Sequence, residues 1–362
     1  MNPSTICLVT LDYPPERGGV ARYLGNLVAA SQGAIDVIVP ETHTTDGPGR
    51  VQVRRMFSGG PWPWKRMIRV CQSLRAEGYQ HVLVSHLLPV GTAAWMARLL
   101  GGLPYSVFIH GLDIRLAGQR SWRRFLAGRV LRGAATVFAN SEAVASDARK
   151  LWPGCEVVVM TPGVEPRPFL PRDQARQMLG CSPHERLCLT VARLVPRKGI
   201  DTMIRVLARF PEWTYVIVGA GDDVSRLRAL AQEYAPGRVQ FVGAVDDDVR
   251  DLWYAAADLF VFLARASSTD VEGFGIVALE AGLAKVPVLA GRSGGVSEAV
   301  LDEQTGVLVD PEDEVQIADA FRRFANDEAL RARLGQAGAE RAQRSFAWQD
   351  RWIALSKHLS SL

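Results

Sequence analysis

Cysteine is scarce and unpatterned: Cys7, Cys71, Cys155, Cys181 and Cys188 form no CxxC pair and no even framework. That excludes a zinc ribbon and a disulfide-stapled secreted scaffold, and it points to reduced thiols. Long apolar runs are missing as well. The least charged stretch, residues 81–114, is broken by Arg98, by Pro89 and Pro104 and by several glycines, so it does not read as a spanning helix of about 20 residues. The opening MNPSTICLVTLDYPPERGG lacks the basic head, apolar run and small-residue cleavage site of an export signal. The expected location is therefore the cytoplasm, with any membrane contact peripheral, on the inner face of the cytoplasmic membrane. No repeat at a 20–50-residue period is visible. Acidic residues are under-represented in the first part only, giving net +8 for residues 1–167 against −4 for residues 168–362 and +4 in all. No nucleic-acid recognition motif accompanies that basic half, so nucleic acid is not an expected partner.

What is present is 362 residues of ordinary globular composition, 48% apolar, enough for two domains with separate cores and a ligand cleft between them. Residues 5–11 (TICLVTL), 35–39, 81–85, 105–109 and 135–139 are short, β-branched apolar runs separated by helix-length segments. Such runs read as parallel strands buried on both faces. The pattern resumes at 187–191, 214–218, 238–242, 258–263, 286–290 and 306–309, so the expected fold is α/β, two doubly wound parallel sheets. The linker is expected at TPGVEPRPFLPRD, 161–173, where four prolines and a glycine interrupt any regular element. From Asp313 onward the sequence reads as helical, and the last segment carries Phe346, Trp348, Trp352 and Leu355 at helical spacing. A helix with such a stripe needs an apolar partner. The domains are thus expected at 1–167 and 168–345, with a terminal helix over 346–362.

Four phrases carry chemistry. In VEGFGIVALEAG, a helix is expected to begin near Phe274, with Gly273 and Gly275 turning the backbone and the amides of Phe274, Gly275 and Ile276 free to meet an anion. Glu272 could accept bonds from polyol hydroxyls, and Glu280, eight positions on, would reach another part of the same ligand; either glutamate alone is ordinarily a solvated or capping carboxylate. In VARLVPRKGID, Arg193 and Lys198 follow a buried strand, and two cations at a strand end suit a diphosphate. In YPPERGGVARYLGNLV, Gly18 and Gly19 directly precede an amphipathic run, a turn that brings backbone close to an anion. In FIHGLD, His110 ends a strand and can position or exchange a proton near neutral pH, with a structural histidine the plain alternative. Gly219-Ala220-Gly221 lacks the third glycine and the acidic residue of a dinucleotide fingerprint and is expected to be a tight turn near the ligand. Asp246-Asp247-Asp248 precedes a helix and is expected to cap it rather than bind metal.

Taken together, the GG turn, HGLD, RLVPRKG, FVGAV and EGFGIVALE followed by GGVSE resemble the retaining family-4 glycosyltransferases of the GT-B fold, in order across nearly the whole chain. YPPERGGVARYL, RLVPRKG and DVEGFGIVALEA look most like the bacterial phosphatidylinositol mannoside mannosyltransferases, which use GDP-mannose. The resemblance implies two Rossmann-like domains facing an interdomain cleft, with a nucleotide-diphosphate sugar as donor and no cofactor or metal. It implies that Arg193 and Lys198 neutralise the diphosphate, Glu280 holds the ribose hydroxyls and Glu272 the sugar, while Gly273, Phe274, Gly275 and Ile276 present amides to sugar and phosphate. Gly18 and Gly19 would approach the diphosphate, Gly243 to Val245 would line the base, and His110 would sit beside the reacting carbon. Relatives commonly read HG-x-E where this chain has HGLD, which leaves the contact of Asp113 open. The implied reaction is hexose transfer, mannose first, with retention, to a lipid-linked or glycan acceptor of the cell envelope. A donor built on UDP-hexose or UDP-N-acetylhexosamine, a nucleotide-sugar 2-epimerase and a non-catalytic nucleotide-sugar-binding subunit are the alternatives. On the acceptor side, residues 61–75 combine Trp62 and Trp64 with Lys65, Arg66 and Arg69, and residues 119–132 combine Trp122 with five arginines. Such segments suit an anionic bilayer surface.

Overall fold

The computed structural model describes residues 5–16, 18–57, 65–267 and 271–361. They fall into two compact units: unit 1 is Met1–Gly163, Ser268–Gly273 and Trp348–Leu362, and unit 2 is Val164–Ser267 and Phe274–Ala347. The division after Gly163 comes slightly before the expected boundary. The short return, described over 271–273, has no trace in the sequence pattern.

Unit 1 is built on a seven-stranded parallel sheet: β1 (Ile6–Val9), β2 (Ile35–Pro40), β3 (Arg50–Arg54), β4 (His81–Val84), β5 (Tyr105–Ile109), β6 (Thr136–Ala139) and β7 (Val157–Val159). Their order is β3-β2-β1-β4-β5-β6-β7. Ile6 pairs with Ile35 on one side and with His81 on the other, so the chain reverses its direction of winding between β1 and β4. Every residue of β2, β4, β5 and β6 is buried, as a sheet covered on both faces requires. The two strands the sequence reading passed over, β3 and β7, are the two edges. β3 (RVQVR) has no fully buried residue, and β7 has three residues of which one is buried. Edge strands have a neighbour on one side only, and charge there discourages pairing with other chains.

Unit 2 carries β8 (Arg186–Val191), β9 (Trp213–Val218), β10 (Val239–Gly243), β11 (Leu259–Phe262), β12 (Val288–Gly291) and β13 (Gly306–Val309). They form a parallel sheet in the order β10-β9-β8-β11-β12-β13, with the reversal between β8 and β11. The chain's last helix, Trp348–Ser360, packs in unit 1. Trp348 meets Tyr23 edge to face at 5.3 Å, Leu355 is fully buried, His358 Nε2 lies 2.7 Å from Thr136 Oγ1, and Arg351 Nε donates to Thr161 O. Phe346, expected in that helix, instead stays in unit 2, where its ring packs on Phe274 at 5.7 Å. All five cysteines are free thiols, four of them buried, and burial pushes the Cys71 thiol up to about 12.

Candidate active site

In open α/β sheets, ligands lie outside the carboxyl ends of the strands where the winding reverses. In unit 2 that point is between β8 and β11, and the chain leaving β8 supplies the basic phrase. Arg193 is exposed just beyond the strand. Lys198 ends a short 3₁₀ turn, Pro196–Lys198, with its Nζ 4.9 Å above the Phe262 ring at the end of β11. The turn is held from behind: the Arg265 amide donates to Arg197 O at 2.7 Å, and the Arg265 side chain bonds Asp201 and Thr202. Gly199 follows with φ +67, and a β-carbon there would lie 2.1 Å from Leu263 O. Only glycine fits both the left-handed backbone and the approach.

Gly219 and Gly221 prove to be packing glycines. A β-carbon on them would stand 1.9 Å from Ala192 O and 2.2 Å from Leu194 O. The loop after β9 thus lies backbone to backbone on the loop after β8, with the Leu194 amide donating to Ala220 O. That contact requires glycine at both positions of the turn. Gly243, φ +86, closes β10 and accepts from the Gly219 amide, and Val245 follows, half-buried. Asp246 stands at the N-cap position of the helix Asp247–Ala256, but its side chain makes no capping bond, contrary to the expected cap; Asp247 pairs with Arg250 instead. Among the described residues, no three metal-ligating side chains gather.

The carboxylate phrase divides between the units. Its helix is Ile276–Leu283, two residues later than expected, because Gly275 takes a left-handed conformation (φ 87) at the N-cap and Phe274 is buried in the core. The amides opening the helix are thus those of Ile276 and Val277, and the N-cap glycine has no side chain with which to cap them. Glu280 points inward and is 5% exposed. The Tyr254 hydroxyl donates to its Oε2 at 2.9 Å. Burial works against the charge of nearby Arg250, and the Glu280 carboxylate with Asp247 and Asp251 outweighs it, holding the guanidinium above its ordinary value. Glu272 and Gly273 cluster with unit 1, away from the domain expected to hold them. A β-carbon on Gly273 would lie 2.7 Å from both His110 O and Asn140 Nδ2, so this glycine permits the segment's approach to the HGLD turn.

In unit 1, His110 follows β5. Its ring packs edge to face on Tyr23 at 5.4 Å, and its Nε2 is buried without a partner among the described residues. Burial, then the neighbouring His86, lowers its pKa to about 3, with Asp12 opposing. The ring is neutral at physiological pH, which corrects the expected proton exchange near neutrality and leaves positioning. Asp113 closes the turn: its Oδ1 accepts from the amides of His110, Gly111 and Ile114 at 3.0–3.1 Å. That is the contact the HGLD spelling left open. Gly18 is the N-cap and Gly19 the first residue of the helix Gly19–Ala30; both are exposed, and the N-cap glycine has no side chain with which to cap the end.

Between β1 and β4, the reversal point of this sheet, lies a pair the sequence reading did not single out. His86 Nε2 meets Asp12 Oδ2 at 3.0 Å. Both residues stand directly after apolar strand runs, the one signal that marks them.

Of the basic segments, Trp62 and Trp64 lie outside the described residues. The second is a helix, Ser121–Gly133, with Trp122 and Phe125 more than half exposed and Arg123 and Arg129 stacked over them at 5.3 and 5.1 Å. Leu112 and Leu116, one turn apart on the preceding helix Leu112–Gly118, are exposed too. No described helix is long and apolar enough to cross a membrane.

The family described as "Glycosyl transferases group 1" matches residues 171–341, and that described as "Glycosyl transferase 4-like domain" matches residues 18–163. The chain is similar to the GDP-mannose-dependent alpha-(1-6)-phosphatidylinositol monomannoside mannosyltransferase of Mycobacterium tuberculosis, 32% identical over 373 aligned positions covering 95% of each chain. The GDP-mannose-dependent monoacylated alpha-(1-6)-phosphatidylinositol monomannoside mannosyltransferase of Corynebacterium glutamicum is 28% identical, over 98% of this chain and 97% of that one. Among solved structures, HepE of Anabaena in complex with UDP and glucose has a TM-score of 0.85 at 22% identity, covering 98% of this chain and 100% of that chain, a likeness of fold.

Proposed function

The chain belongs to the group 1, family-4-like glycosyltransferases of the GT-B fold, and from that premise we propose that it moves mannose from GDP-mannose to a phosphatidylinositol-mannoside-type glycolipid with retention of configuration. The observation that carries the reading is the unit 2 reversal point, where an exposed arginine, a lysine on a braced turn and a helix start with glycine at its N-cap follow β8 and β11. Arg193 and Lys198 neutralise the donor diphosphate, and the amides opening the helix at Ile276 receive charge as the leaving group departs. These fixed charges are the reason no metal is required. Glu280, held by Tyr254, accepts from the ribose hydroxyls, and the backbone of Gly243 to Val245 lines the base. In unit 1, Gly18 and Gly19 present amides to the diphosphate, Glu272 binds sugar hydroxyls, and neutral His110 stands beside the reacting carbon without adding charge to it. The exposed Trp122, Phe125, Leu112 and Leu116 among arginines seat unit 1 on an anionic bilayer, where apolar insertion and charge attraction add.

The test is calorimetric titration of the full chain with GDP, UDP, ADP and their sugar conjugates, repeated on Arg193→Ala and Lys198→Ala. Preference for GDP-mannose is expected, with each variant weakened about 10- to 100-fold, the range of one charge-assisted contact. Preference for a UDP-sugar would overturn the donor assignment alone, and wild-type affinity in the folded double variant would overturn the diphosphate site. Mannose epimerised in the absence of acceptor would replace transfer with epimerase chemistry.

A further inference from the structure

We propose that Asp12 and His86 form the acceptor's hydroxyl-binding centre: the Asp12 carboxylate accepts a hydrogen bond from an acceptor sugar or inositol hydroxyl, and His86 positions that carboxylate. The inference rests on the transferase reading above and adds the acceptor side of the reaction. Its first support is placement. Asp12 follows β1 by three residues and His86 follows β4 by two, and these are the adjacent strands between which the winding of unit 1 reverses. A doubly wound sheet opens a ligand crevice at that point.

The second support is how the pair is built. His86 Nε2 donates to Asp12 Oδ2 at 3.0 Å, while the Ser85 hydroxyl lies 2.5 Å from the other ring nitrogen. On the far side, the Thr10 hydroxyl donates to the Asp12 carbonyl at 2.8 Å and accepts from the Asp12 amide at 3.1 Å. The carboxylate is held by His86 and the backbone beneath it by Thr10, yet the Asp12 side chain remains 45% exposed. A pair serving only to tie β1 to β4 has no need of that opening. The third support is the neighbour: the buried, unpartnered Nε2 of His110 lies close enough to both residues for their charges to bear on its protonation.

The chemistry selects the ligand. The His86 bond, against the effect of burial, holds the Asp12 carboxyl below its ordinary range, so it is ionised at neutral pH. An ionised carboxylate repels a diphosphate and suits the hydroxyls of an uncharged polyol, to which it makes charge-assisted bonds. Asp12 keeps no proton in this scheme. The acceptor oxygen forms the new bond to the sugar carbon as that carbon's bond to the phosphate oxygen breaks, and the acceptor's hydroxyl proton passes to the departing phosphate. Asp12 fixes the direction in which that hydroxyl approaches.

The experiment uses the full chain with GDP-mannose and phosphatidylinositol monomannoside in detergent micelles, and compares Asp12→Asn, His86→Ala and His86→Gln. Asp12→Asn should lower kcat/KM for the lipid by about 10- to 100-fold, the span of one charge-assisted hydrogen bond, with calorimetric affinity for GDP-mannose unchanged. His86→Ala should lower the same ratio, and His86→Gln should recover most of it, because the glutamine amide can donate to Asp12 as the ring does. Thermal unfolding identifies any variant that has lost its fold, and the Asp12→Asn and His86→Gln pair, both near-isosteric, then carries the comparison. An unchanged lipid kcat/KM in folded Asp12→Asn overturns the proposal. A parallel loss of GDP-mannose affinity overturns it as well, placing the pair at the donor, and a His86→Gln no better than His86→Ala overturns the positioning role. Wild-type protein that binds GDP-mannose but transfers nothing to this lipid would defeat the functional reading itself, and the acceptor assignment with it, before any variant is made.

Discussion

Replacing Tyr254 by phenylalanine removes one oxygen from the core of unit 2 and leaves the ring where it packs, 5.7 Å from Phe260. That oxygen donates at 2.9 Å to Glu280, and both residues are buried, at 0% and 5% exposure. A hydrogen bond to a charged group contributes about 1.5–3 kcal/mol. Arg250 still faces the carboxylate after the change, so the charge is not stranded and the lower figure applies. At about 2–4 °C per kcal/mol for a domain of this size, the melting temperature should fall by about 3–6 °C. The effect on binding is separable from that on stability. If Glu280 holds the ribose hydroxyls, the carboxylate must be fixed in one orientation before ligand arrives, and its release should weaken GDP binding by about tenfold, the equivalent of 1.4 kcal/mol. Thermal unfolding and GDP titration on the same preparation give both numbers. A lowered melting temperature with unchanged GDP affinity would refute the role given to Glu280, and no change in either would refute the bond itself.

Two further expectations concern pH and membrane. Because His110 resists protonation down to about 3 while an unfolded histidine titrates near about 6.5, the unfolded chain takes up a proton that the folded one refuses. Stability should therefore be complete above pH 6.5 and decline as pH falls toward 3; between pH 7 and 5 this one group accounts for up to about 2 kcal/mol. Urea unfolding of wild type and His110→Gln at both pH values checks this, and equal pH dependence in the two proteins would disprove it. On vesicles containing anionic lipid, reversing Arg123 and Arg124 together with Lys65 and Arg66 to glutamate should abolish co-flotation, since each basic residue near the surface contributes about 1 kcal/mol. Undiminished flotation would count against membrane seating.

Strands enclosed on both faces were legible because burial demands unbroken β-branched runs. β3 and β7 escaped notice because edge strands tolerate arginines and brevity. Arg193 and Lys198 were legible from their place after a buried strand. The helix start was misplaced by two residues because the left-handed turn at Gly275 looks, in sequence, like any glycine before a helix. Glu272 and Glu280 read as one phrase, yet the chain passes from unit 1 to unit 2 between Gly273 and Phe274, a division with no local sequence cost. Asp12 and His86 are 74 residues apart. Only the strand order brings them together, and a single aspartate or histidine after a strand carries no spacing to recognise.

The helix Trp348–Ser360 has a consequence for biosynthesis. Translation delivers β1 to β7 first, but the surface of unit 1 that receives Trp348 and Leu355, around Tyr23, Leu24 and Phe138, has its cover encoded almost 200 residues after β7. During that interval the ribosome holds a nearly complete sheet with an apolar face open to water, a target for chaperones and for wrong partners. A nascent chain stopped at residue 347 would carry every strand of both sheets and still be unable to finish folding the unit it began with.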